Sequence, residues 1–232
     1  MSVDVIDQLN GESRETRLEV ATAALIMALL QISLSVISLK HGWTLWGLGG
    51  WVWLIPVVPE LLLAIMIGAE DRGGNINKAG ERRNLVVVFL IVASGFNASA
   101  LVLLSVELFT GDVKTGGELA VEALLIWCTL VLTFAMLFWD LDGGGPRRRA
   151  CEPDGRRDFL FSEMTAAPKL VAPGWHSRLL DYGYLSFTTA IAWSPAEVVP
   201  LSRKAKVMMA LETVLSVLTI LLGVRGGTYI IG

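Results

Sequence analysis

Among the acidic residues in or beside apolar stretches, four are candidates for chemistry. Glu60, Glu122 and Glu212 lie inside long hydrophobic runs, and Glu197 sits just ahead of the last one. A carboxyl group in such a setting can hold a proton or attract a cation, so each is a candidate for ion chemistry. Glu197 closes the turn Ala192-Trp193-Ser194-Pro195-Ala196. Repeated around an oligomer axis, it would form a ring of carboxylates that concentrates cations at a mouth. It also reads as an interfacial acid near the start of a helix. Ser194 could offer oxygen atoms to a hydrated ion, although Ser-Pro is equally a common turn initiator.

Glu212, Ser216, Thr219 and Gly223 follow a spacing of four, three and four. That spacing puts them on one face of a helix. Polar groups on such a face line a conduction path or bond to a neighbouring helix, with Gly223 permitting close approach. Glu60 and Glu122, with Gln31 and Asn97 in other runs, could serve a proton-coupled carrier. No Lys, Arg or His accompanies them there, so a relay has little to work with, and buried packing residues are the plainer reading.

Soluble catalysis finds no foothold. His41 and His176 are far apart, Cys128 and Cys151 make no disulfide framework or metal set, and no phosphate-binding loop or nucleophile–base set is present. We expect no enzyme activity, no cofactor, no metal site and no nucleic-acid partner.

The elements that must position these residues are membrane helices. Of the 232 residues, 53% are hydrophobic and 18% charged, against roughly 45–50% and about 25% in soluble domains. The apolar residues gather into five runs, near Leu18–Leu39, Leu45–Gly68, Leu85–Phe109, Leu119–Leu141 and Ala205–Val224. Each is long enough to cross about 30 Å of hydrocarbon at about 1.5 Å per residue. Pro56 and Pro59 predict a kink in the second, and the tryptophans at its start suit an aromatic belt. Met1 to Glu19 is acidic and polar, unlike a secretory signal, so the first run is read as a retained span. The fold class expected is an all-α membrane protein: five transmembrane helices plus a re-entrant pore helix and loop before the last helix.

Basic residues orient it. If the five spans alternate, 16 of the 19 Lys and Arg fall on one side, leaving Lys40, Lys114 and Arg225 on the other. The positive-inside rule then places the N-terminus in the cytoplasm and the C-terminus outside, in a bacterial inner membrane. Arg147, Arg148 and Arg149, with Arg156 and Arg157, are an orientation signal or a site for anionic lipid. No internal repeat is evident, which disfavours an inverted-repeat transporter.

Three regions follow: a polar segment 1–17, three peripheral helices over 18–116, and a pore-like module over 117–232. The module comprises a span, a long polar loop 142–175, a half-length helix 176–189, a filter-like turn 190–200 and a last span 203–224. Irregular backbone at membrane depth is tolerated only when buried in protein or lining water, so this order suggests a pore.

Tyr184-Leu-Ser-Phe-Thr-Thr-Ala-Ile-Ala-Trp-Ser-Pro-Ala-Glu-Val-Val-Pro200 resembles the pore helix and filter of tetrameric potassium channels. Tyr184, Ser186, Thr189, Glu197 (for Asp) and Pro200 match that pattern without a gap. Ala192-Trp193-Ser194-Pro195-Ala196 stands where that family has Thr-Val-Gly-Tyr-Gly. The glycines that let carbonyls point at the ion are missing, and Pro195 fixes its own φ. The resemblance implies a homotetramer in the bilayer conducting a monovalent or divalent cation, with 192–197 as constriction, Thr189 supporting it, and Glu212, Ser216, Thr219 and Gly223 along the vestibule. With the loop on the basic side, the pore would be inverted, as in ionotropic glutamate receptors. The chain also resembles an uncharacterised bacterial membrane-protein family through Trp139-x-Leu141-Asp142-x-Gly144-Gly145-Pro146 and the later Ser194-Pro195. A non-conducting scaffold or lipid-interacting protein with a plugged axis is the alternative, and a proton-coupled carrier the third.

Overall fold

The computed structural model describes residues 3–45, 47–68, 76–110, 115–152, 155–192 and 197–231. The chain is mostly helical, at 78%. In order come α1 (Val3–His41), a hairpin of β1 (Thr44–Leu45) and β2 (Leu48–Gly49), a 3-10 turn over Gly50–Leu54, α2 (Val57–Gly68), α3 (Ile76–Thr110) and α4 (Gly116–Leu141). After a 3-10 turn at Asp142–Gly144 follow α5 (Pro146–Cys151), β3 (Phe159–Phe161), two further 3-10 turns, α6 (Leu179–Ala192), β4 (Val198–Pro200) and α7 (Arg203–Ile231).

Three helices are long and apolar enough to cross a membrane: Ala21–His41, Gly116–Gly144 and Arg203–Thr228. Two shorter apolar helical stretches, Gly50–Leu62 and Leu90–Val106, accompany them among the described residues. The second expected span is not one helix. Its start folds as the β1–β2 hairpin, and α2 begins only after Pro56. Proline lacks the N–H that would continue the helical ladder and crowds the preceding turn, so what reads as a kink in sequence is a break. Other boundaries moved the opposite way. No proline interrupts Val3–Leu18, and α1 includes that polar segment. Likewise α3 starts at Ile76, inside the polar connection.

The chain divides into two units, one of Met1–Val20 with Phe134–Thr213, the other of Ala21–Thr133 with Val214–Gly232. The second unit has an apolar core that includes Leu34, Trp53, Leu104, Ile126 and Leu222. Trp53 meets Phe96 edge to face, with ring centroids 6.2 Å apart. Small residues bring backbones together here. A Cβ on Gly226 would lie 2.7 Å from the Ala120 nitrogen and 2.8 Å from the Gly116 carbonyl oxygen, so α7 and α4 touch at a distance only glycine allows.

Helix faces are arranged inside-out. On α7, Val207, Leu211, Val214, Leu218 and Leu221 are exposed, while Glu212, Ser216 and Thr219 are buried. On α1, Leu25, Leu29, Ile32, Val36 and Leu39 are exposed, while Gln31, Ser35 and Ser38 are buried. In water that distribution would leave long apolar stripes uncovered. It is compatible with insertion in a membrane, where polar side chains turn toward protein.

Candidate functional site

The first unit is built around Asp142. As α4 ends, Gly143, Gly144 and Gly145 adopt positive φ values of 58°, 82° and 97°. Gly145, with ψ 165°, occupies a region that is essentially reserved for glycine. The reversal lets Pro146 open α5, where its missing N–H is no loss. It also carries Arg149 back beneath the end of α4.

Every oxygen at Asp142 is used. Its Oδ1 accepts from the backbone N–H groups of Asp158 (2.7 Å) and Phe159 (3.1 Å). Its Oδ2 accepts from the Tyr182 hydroxyl at 2.6 Å and lies 3.8 Å from Arg157 Nη1. Its carbonyl accepts from Arg149 Nη1 at 2.7 Å, a nitrogen that also donates to the Trp139 carbonyl at 2.6 Å. The Arg149 guanidinium sits over the rings of Tyr182 and Trp139, at 5.3 and 5.9 Å. The Gly143 N–H donates to Asp158 Oδ2 in return. Since the Tyr182 proton goes to Asp142, the Ser177 hydroxyl 2.9 Å away is the donor to Tyr182.

Burial accounts for the ionisation of these groups. Desolvation pulls the Arg149 guanidinium below its ordinary value, opposed by Tyr182 and Asp142. Burial pushes the Tyr182 phenol well above its ordinary value; Arg149 pulls it back, and the Asp142 charge and hydrogen bond add to the rise. Tyr182 is a neutral donor. The motif Trp-x-Leu-Asp-x-Gly-Gly-Pro is therefore a structural knot: a carbonyl and a ring for Arg149, a buried acceptor, a glycine reversal and a helix start. Aromatic contacts extend it from Phe138 through Phe159 to Tyr182 and from Tyr182 to Phe161 and Trp175.

The polar loop is thus folded. Phe159–Phe161 pairs antiparallel with Val198–Pro200, with Leu160 opposite Val199, and the Leu201 N–H donates to the Asp158 carbonyl. The end of the expected filter-like turn 190–200, Val198–Pro200, is therefore a strand, and its start, to Ala192, continues α6. Phe159 and Phe161, alternating with less buried Leu160, fit a strand with one covered face.

The knot positions α6. The Glu19 carboxylate accepts from the Leu179 N–H at 3.1 Å and pairs with Arg178 at 2.5 Å. Asp181 reaches back to the Arg178 N–H at 2.7 Å. Two carboxylates at a helix N-terminus satisfy donors the helix cannot and complement its dipole. Farther along, the Ser186 hydroxyl makes a short hydrogen bond to Glu212 Oε1 on α7, both side chains fully buried. This half-length helix is bonded to the end of α4 on one side and to α7 on the other.

Thr189, the expected support, is buried and donates to the Leu185 carbonyl. Ala192 and Glu197 are exposed; Trp193, Ser194, Pro195 and Ala196 lie outside the described residues. The vestibule positions turn inward. Glu212 bonds to Ser186, Ser216 accepts from Trp127 Nε1 at 2.8 Å, and Thr219 donates to the Leu215 carbonyl. A Cβ on Gly223 would make ordinary contact with Ala123. Of the basic cluster, Arg149 is buried, Arg157 is half-buried against Asp142, and Arg148 pairs with Glu152 at 3.2 Å.

In the second unit, Glu60 is buried, and its Oε1 accepts from Gln31 Nε2 at 2.9 Å. Asn97 Oδ1 accepts from Thr129 at 3.2 Å. Glu122 is fully buried on α4. Among the described residues, no group of three His, Cys, Asp or Glu is placed to hold a metal. Sequence reading found Glu212, Ser186 and Asp142 but assigned no role to Tyr182, and placed Arg149 in an orientation signal or lipid-facing cluster, whereas it is buried. The signal open to it was an Asp at the end of an apolar helix followed by a glycine reversal and an Arg one helical turn on.

No family model, curated protein or solved structure matches the chain.

Proposed function

We propose that this chain is the protomer of an oligomeric membrane pore for cations, with α6, residues 192–197 and α7 as its re-entrant element. The observation that carries the reading is the double anchoring of α6. A helix of 14 residues rises only about 21 Å, short of a full crossing. It is nonetheless held by buried polar bonds, Tyr182 to Asp142 and Ser186 to Glu212. A half-length helix fixed this firmly, with the strand Val198–Pro200 ahead of a long apolar helix, supports a pore-loop reading.

In this reading residues 50–68, through the 3-10 turn and α2, and α3 (Ile76–Thr110) cross alongside the three long helices, making five spans with the N-terminus cytoplasmic. Four copies surround the axis. Glu197, exposed directly after the turn, forms the carboxylate ring. Glu212 and Ser216 hold neighbouring helices and do not face the ion. The exposed apolar stripe of α6, at Leu180, Tyr184, Phe187 and Ile191, packs against the adjacent copy.

The test is ion flux from liposomes carrying the purified oligomer under potassium, sodium or calcium gradients. Flux is expected in the wild type, and Glu197→Gln should lower it at least several-fold or alter its selectivity. Equal flux and selectivity in the mutant, or none from an intact oligomer, would sink the pore and favour the plugged scaffold. A carrier reading rests on one other observation: among the described residues, the buried Glu60 carboxyl is partnered by neutral Gln31. It predicts saturable, substrate-dependent uptake lost in Glu60→Gln and untouched by Glu197→Gln.

A further inference from the structure

The second unit contains a small cavity between α1, the 3-10 turn, α3 and α4. Its walls are mostly apolar, with Gln31, Asn97 and Thr129 as the polar exceptions. Its volume is about 10 Å³, close to the roughly 10–15 Å³ that one water needs.

Donors and acceptors decide what fits. Gln31 uses its amide nitrogen on Glu60, and its Oε1 is left without a partner. Asn97 uses its amide oxygen on Thr129, and its Nδ2 is left without one. Both side chains are 3% exposed, so bulk solvent does not satisfy them. An unmade hydrogen bond on a buried amide is costly, and here one acceptor and one donor border the same cavity.

A metal cation would suit Gln31 Oε1 but face the Asn97 amino group, and an anion would meet the reverse conflict. The occupant must donate and accept at once. We propose that the cavity is a binding site for one water, which donates to Gln31 Oε1 and accepts from Asn97 Nδ2. Its second hydrogen faces Thr129 Oγ1, whose own proton is already committed to neighbouring acceptors. Three bonds are what a buried water typically makes. The water joins two side-chain pairs, Glu60–Gln31 and Asn97–Thr129, into one polar chain across four elements. This site does not depend on the pore reading.

The experiment pairs a high-resolution map of the full-length protein in nanodiscs with thermal unfolding of Asn97→Leu and Asn97→Ser. A peak between Gln31 and Asn97 is expected in the wild type. Asn97→Leu should lose the peak and lower Tm by about 2–4 °C or more, because Gln31 and Thr129 lose a partner. Asn97→Ser keeps a hydroxyl and leaves more room, and should retain the peak. An empty cavity in the wild type would overturn the site. So would an Asn97→Leu protein as stable as the wild type or more so, since removing an idle polar group from a dry cavity carries no penalty.

Discussion

The surroundings of Asp142 in the first unit and the mid-helix polar groups of the second handle buried polarity in opposite ways. Around Asp142, both carboxylate oxygens and the carbonyl meet donors, and charge faces charge through Arg149 and Arg157. In the second unit, Gln31, Glu60 and Asn97 each make one bond and keep one polar atom unpartnered. A network of the first kind rigidifies, because losing any member strands the rest in low dielectric. Groups of the second kind retain capacity for a ligand. Position matters as well as number: the knot sits beyond the end of α4, where backbone N–H groups of a loop are free to point inward, whereas mid-helix polar groups must rely on side chains or water. The inference is that the conspicuous charge cluster builds the fold, and the sparse polar residues within the apolar helices are where chemistry has room.

The sharpest way to break this comparison is Asp142→Ala. It strands Tyr182 and two backbone N–H groups and removes the carboxylate that faces Arg157, and should cost about 3–5 kcal/mol, read as a large loss of thermal stability in detergent. A small effect would mean that the knot is not the organiser of its unit. Next in size is Tyr182→Phe, expected to cost about 1–3 kcal/mol by leaving Asp142 Oδ2 with only the distant Arg157. The same residue has an alkaline signature. Its folded pKa is raised above the unfolded value of about 10, so its contribution is fully present below that pH and is lost as pH rises through the folded value. Stability of the wild type should therefore fall more steeply above pH 10 than that of Tyr182→Phe. The smallest effect belongs to Arg148→Ala. Its pair with Glu152 is exposed and one helical turn apart, worth about 0.3–0.5 kcal/mol. If Arg148→Ala were as damaging as Asp142→Ala, the division between buried knot and solvated charge would be wrong.

Much of the helical content was legible in the residues because run length and the 3.6-residue period act locally. Glu212, Ser216 and Thr219 do share a face of α7. Which way that face points was not legible. Periodicity groups residues without naming their partner, and here the partners, Ser186 and Trp127, lie 26 and 89 residues away. The second apolar run misled for a related reason: composition counts Pro56 as one residue among many, while the backbone ladder stops there. Polar loop composition likewise concealed β3, whose three residues gain strand form only by pairing with Val198–Pro200.

By itself the sequence determined that long apolar helices exist and which acids are isolated among apolar neighbours. These follow from chemistry within a few residues of each position. Tertiary structure alone decided that Arg149 is interior, that Asp142 and Tyr182 meet, that the last three residues of the expected turn are a strand, and that Gln31 and Asn97 border one cavity. Each of those depends on contacts between distant segments, and a long-range contact is selected by the packing of the whole unit.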